Sequence, residues 1–166
     1  MEFIRHTIYW IKGELFEASL ISIFGIATLL AGLLFWRLGT SPNAKALFWP
    51  FLITGVIYTA IGVSMIFSNQ RRQPQFEQSY RQDQAAFVKA EKKRVEDFQY
   101  GYTVSKIVAT VFFAATLLIF WSTKNPTWQG IGIGLSLFAL AGLVVDYFSQ
   151  ERADIYYKAI VQALRG

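Results

Sequence analysis

Four stretches of this chain hold almost no charge, and each is long. Residues 18–36 and 47–67 contain no Asp, Glu, Lys or Arg. Residues 103–121 contain only Lys106, near their start. Residues 130–145 contain none, and Trp128 extends the run on one side while Asp146, Tyr147 and Phe148 extend it on the other. A hydrocarbon layer about 30 Å thick takes roughly 20 helical residues to cross. Backbone N–H and C=O groups find no water there, so a crossing segment must satisfy them internally, as a helix does. Helices of a soluble bundle need a polar outer face, and these runs have none. Composition agrees: 54% of residues are hydrophobic and 16% charged, against roughly 25% charged in soluble domains. The expectation is an all-α polytopic membrane protein, one domain over residues 1–166, with transmembrane helices at 18–36, 47–67, 103–121 and 128–148.

The first run could also be read as a secretory signal, since Ala44-Lys45-Ala46 resembles a cleavage site. The segment before it, however, is long and carries Glu14 and Glu17, unlike a basic signal n-region. It is therefore expected to be retained.

Charge sets the orientation. With four spans, the N-terminal segment, the middle loop and the tail share one side. That side carries thirteen of the sixteen Lys and Arg residues; Arg37, Lys45 and Lys124 are the other three. The positive-inside rule puts the thirteen in the cytoplasm, with both termini, across a plasma (inner) membrane. Trp36, Trp49, Trp121 and Trp128 all fall at the opposite ends of the spans, where indole rings favour the headgroup layer. The net charge of +5 is thus accounted for by topology, and nucleic acid is not expected as a partner.

Residues 33–42 read LLFWRLGTSP and residues 117–126 read LLIFWSTKNP. Each half of the chain runs span, Phe-Trp, polar turn with proline, glycine-containing span, then Phe-Ser. The pattern points to two hairpins forming a tandem repeat, related by an axis along the membrane normal. The alternative is that any tight outer turn collects Trp and Pro. Lipid tails are as apolar as leucine, so helices associate through close backbone approach at small residues. Gly25 and Gly32, with Ala18 and Ser22, share a face of the first span; Gly55 and Gly62, with Thr59, share one on the second; Gly134, with Gly130 and Ala141, does so on the fourth. These are the expected helix-packing seams.

Residues 69–102 form a cytoplasmic loop with helical periodicity at Phe76, Tyr80, Phe87, Val95, Phe98 and Tyr102. Pro74 is expected to break the helix coming out of the second span. Gly101 is a weak point where the loop helix joins the third span. The tail, 149–166, carries a stripe of Ala153, Tyr157, Ile160 and Leu164 and continues the fourth span. The N-terminal segment, 1–17, is also amphipathic and is expected to lie flat at the inner surface. These stripes can pack on one another, lie on lipid, or meet another copy or another protein.

Catalytic signals are sparse. His6 is the one histidine and there are no cysteines, so neither a metal site of ordinary ligand count nor a thiol nucleophile is expected. Gly130, Gly132 and Gly134 resemble a phosphate-binding loop only superficially, since no lysine follows. No cofactor is expected and no enzyme. Ionisable residues near the membrane are candidates for function. Glu14 and Glu17 stand at the base of the first span. Lys106 and Asp146 stand just inside the third and fourth, where they could form an ion pair with Glu17 nearby or act as interfacial anchors. The expected function is that of a non-enzymatic membrane subunit, regulator or assembly protein. It would act through helix packing and its cytoplasmic helices, on the lipid bilayer and in self-association as a homo-oligomer or with another membrane protein. The alternative is a small oligomeric channel or transport component.

Overall fold

The structure is a computed structural model that describes residues 2–165. Within them it is helical, with no strand. The helices are α1 (Glu2–Leu38), a short α2 (Pro42–Ala46), α3 (Phe48–Gln82), α4 (Gln84–Ser122) and α5 (Pro126–Ala163). Four of them are long and apolar enough to cross a membrane. At 1.5 Å rise per residue, the 37 residues of α1 make a rod of about 55 Å. Each rod thus has an apolar stretch of bilayer length and a polar extension. The four extensions gather at one end of the molecule.

Two pairs of helices carry the apolar half. In the first, α1 lies on α3, and glycines set the spacing. A Cβ on Gly25 would come within 2.9 Å of Gly55 O, one on Gly55 within 2.7 Å of Leu29 N, and one on Gly62 within 2.6 Å of Ser22 N. Gly32 is held against Phe51, where a Cβ would approach within 3.1 Å. In the second pair, α4 lies on α5 through hydroxyls. Thr116 Oγ1 donates to Gly132 O at 2.9 Å, and Ser136 Oγ donates to Thr116 Oγ1 at 3.1 Å. Gly130 and Gly134 face the other way, onto Ala46 and Pro50, while Gly132 meets Phe120 and Thr116 of α4. Large apolar side chains remain outside, among them Leu117 at 72% and Trp121 at 86% exposure.

The polar end has a different interior. Ile11, Val95 and Ile160 are fully buried, surrounded by Phe3, Trp10, Tyr80, Phe87, Val88 and Tyr156. The rings of Phe3 and Tyr156 stack at 5.9 Å, those of Trp10 and Tyr156 at 5.5 Å. This core draws on α1, α3, α4 and α5 together, and it corrects two expectations. The segment before residue 18 does not lie flat: it is the first half of α1, and its stripe of Phe3, Trp10 and Ile11 is covered by the other helices. Pro74 does not end the second long helix, because α3 continues through it to Gln82. The carbonyl that Pro74 leaves without a partner belongs to exposed Gln70, where water can reach it. Beyond the proline, Phe76 and Tyr80 are held by ring contacts to Phe87 at 5.6 and 5.7 Å. The chain then reverses at one residue. Asp83 is extended, and its Oδ1 accepts the Ala86 N–H at 2.9 Å, capping α4. Gly101 sits within α4 with open space around it.

Candidate functional site

Where the polar extensions meet the apolar half, α1 and α5 are joined by charge. Glu14 and Glu17 are three residues apart and so share a face of α1. Both are buried. Arg152, on α5, reaches both: its Nη2 lies 3.3 Å from Glu14 Oε1 and touches Glu17 Oε2. Arg152 lies across Gly13, where a Cβ would come within 2.7 Å of its Cδ. One guanidinium thus serves two buried carboxylates. Burial pushes the Glu14 carboxyl above the usual carboxylate range, and Arg152 offsets part of that rise.

A second network lies deeper in the polar end. Tyr156 Oη donates to Glu91 Oε2 at 2.8 Å. Because that proton is committed, the 2.9 Å contact between Thr7 Oγ1 and Tyr156 Oη has Thr7 as its donor. Arg94 grips Glu91 with two bonds, at 2.9 and 2.5 Å, and lies 4.4 Å above the Trp10 ring. Burial, followed by the charge of Glu91, pushes the Tyr156 phenol well above its usual range. Thr7, Glu91 and Tyr156 are buried while Arg94 keeps part of its side chain at the surface, a geometry that suits a structural clamp.

The sequence candidates are only partly brought together. Glu17 lies in the ion cluster, but with Arg152 as its partner. Lys106 Nζ donates to Gln150 Oε1 at 3.1 Å. Among the described residues no ion pair joins Lys106 to Asp146, and Asp146 Oδ2 is buried without a hydrogen-bond partner. Sequence reasoning passed over Arg152, Gly13, Glu91, Arg94 and Tyr156. One signal pointed to Arg152: it is the first base beyond the fourth span, level with the last acids before the first. Among the described residues no group of three His, Cys, Asp or Glu side chains could hold a metal ion.

Two grooves run between the helix pairs. One, of about 440 Å³, is lined by Leu20, Phe24, Leu140, Val144 and Phe148, with Glu17 and Arg152 also in its wall. The other, of about 970 Å³, lies toward α2 and the start of α5. Tyr58 lines the first groove and Phe138 the second. Tyr58 Oη donates to Phe138 O at 2.7 Å, so this bond stands between them. No family model, curated protein or solved structure matches the chain.

Proposed function

We propose that this chain is a polytopic inner-membrane protein of two hairpins, with both termini and the polar helical layer in the cytoplasm. On this reading it acts by association, as a subunit, regulator or assembly protein. The thirteen-to-three partition of Lys and Arg supports the orientation. The tandem-repeat reading is supported by matching caps. Ser41 precedes Pro42 at the start of α2, Asn125 precedes Pro126 at the start of α5, and each side-chain oxygen accepts a first-turn N–H.

One observation carries the functional reading. Glu17 and Arg152 stand in the wall of an otherwise apolar groove between the hairpins. Arg152 is paired with Glu14 and Glu17 but keeps 26% of its side chain exposed, and lipid tails cannot solvate that remainder. A membrane helix bearing a polar side chain can, and interhelical hydrogen bonds of this kind hold membrane helices together. The same surface suits a second copy of the chain or another membrane protein.

The test is the mass of the particle extracted with its native lipid. The expected result is more than one polypeptide per particle, with the extra chain lost in Leu140→Trp, which fills the groove from an exposed position. A lone chain in the wild type would overturn the reading. A symmetric ring that conducts ions would favour the channel alternative.

A further inference from the structure

The larger groove has the opposite electrostatic character. All eleven Asp and Glu residues fall within residues 2–17, 77–97 and 146–154, at the polar end. The α2 end of the molecule has Arg37, Lys45 and Lys124 and no acid at all. Lys45 stands at the mouth of the groove with Asn125 and Thr127, and below them the walls are Ile53, Ile57, Ile131 and Leu135. Lys45 makes no ion pair among the described residues. Asn125 uses its carboxamide oxygen to cap α5, bonding Thr127 N at 2.9 Å, which leaves its N–H donors for another partner. The mouth is also the N-terminus of a 38-residue helix, whose dipole favours an anion.

From this arrangement we propose that the groove holds an acyl chain of an anionic phospholipid from the leaflet at the α2 end, with the lipid phosphate against Lys45. The proposal rests on the membrane reading above. Shape and charge select this occupant. The volume of about 970 Å³ lies within the roughly 300–1,000 Å³ of small-molecule clefts. A cationic, donor-rich mouth above an apolar body matches a phosphate above a hydrocarbon chain. The groove also stops at the Tyr58–Phe138 bond, so it serves a chain from one leaflet and does not provide a track for a helix crossing both.

Photocrosslinking of the full chain tests this. A diazirine amino acid is placed at Ile53 in the groove, or at Leu34 as a lipid-facing control, in both cases with Arg37→Gln, which removes the base one turn from Leu34. The two lie at similar depth, because the neighbouring rings of Phe35 and Phe51 touch at 5.4 Å. The protein is reconstituted in vesicles of phosphatidylglycerol and phosphatidylcholine, and adducts are identified by mass. At Ile53, phosphatidylglycerol adducts should exceed their share of the bilayer by roughly fivefold, the scale of one basic residue's pull on anionic lipid. Leu34 should report the bilayer composition, and Lys45→Gln should bring Ile53 down to it. Equal composition at the two sites with Lys45 present would overturn the proposal, as would an Ile53 adduct to a second copy or another protein. Absence of lipid adducts at Leu34 as well would overturn the membrane reading beneath it.

Discussion

The two ends of this molecule are held together by opposite means. At the polar end, large side chains are hidden: Ile11, Val95 and Ile160 have no exposure and aromatic rings close around them. Between the apolar halves, most large side chains are turned outward, Ile21 and Tyr58 excepted, and glycine, alanine and serine lie inside. On the membrane reading proposed above, the difference follows from the solvent each end meets. In water, burying apolar area contributes about 25 cal/mol per Å², so Phe3, Trp10 and Tyr156 are worth covering. In lipid that force is absent, and what remains is backbone contact with a few hydrogen bonds. Large size thus goes with burial at the polar end and, for most residues, with exposure between the spans.

The comparison can be broken from either side. The largest effect is expected in the polar-end core. Ile160→Ala removes a fully buried side chain touching several helices and should cost about 4 kcal/mol, as a loss of unfolding temperature in detergent and bilayer alike. In the spans the vulnerable direction is enlargement. Gly62→Leu should destabilise by about 3 kcal/mol, since its side chain would have to displace Ser22 and Ala18. If it melts like the parent, α1 and α3 do not meet where the structure puts them. Gly101 is the control: nothing lies within 4 Å of a Cβ there, so Gly101→Ala should stabilise by about 1 kcal/mol through helix propensity. The smallest effect belongs to Glu14. Its pKa is raised on folding, so the folded state holds that proton more tightly. Stability from this group is then greatest at low pH and declines as pH rises through the carboxylate range to the folded value. Glu14→Gln should flatten that decline, read as unfolding temperature against pH. An unchanged slope would mean that Arg152 fully compensates the buried charge.

The four long apolar helices were legible because long runs without charge stand out in the sequence. The continuity of α5 into the tail was legible too, since no Gly or Pro intervenes after Gly142. Pro74 misled because the bond that proline removes need not end a helix where water can reach the freed carbonyl, and Gln70 is exposed. The N-terminal stripe misled for a related reason. An amphipathic pattern says that one face is apolar, not whether lipid or protein covers it. Lys106 and Asp146 show a further limit. Hydropathy places two residues at the same depth but leaves the rotation of their helices open, and here Lys106 meets Gln150 instead. Glu14 and Glu17 were visible as a pair on one face, and the sequence put Arg152 at their level, but only the packing of α5 on α1 shows that it turns toward them.

The account depends most on the outward-facing apolar belt lying in a bilayer, with the polar layer in the cytoplasm. The chain has no cysteine, so a single introduced thiol reports its own side. Asn43→Cys and Asp97→Cys, both at exposed positions at opposite ends, are to be treated with a membrane-impermeant maleimide before and after permeabilisation. The account predicts labelling of Asn43→Cys in intact cells and of Asp97→Cys only after permeabilisation. Labelling of Asp97→Cys in intact cells, or equal access to both thiols from one side, would contradict it.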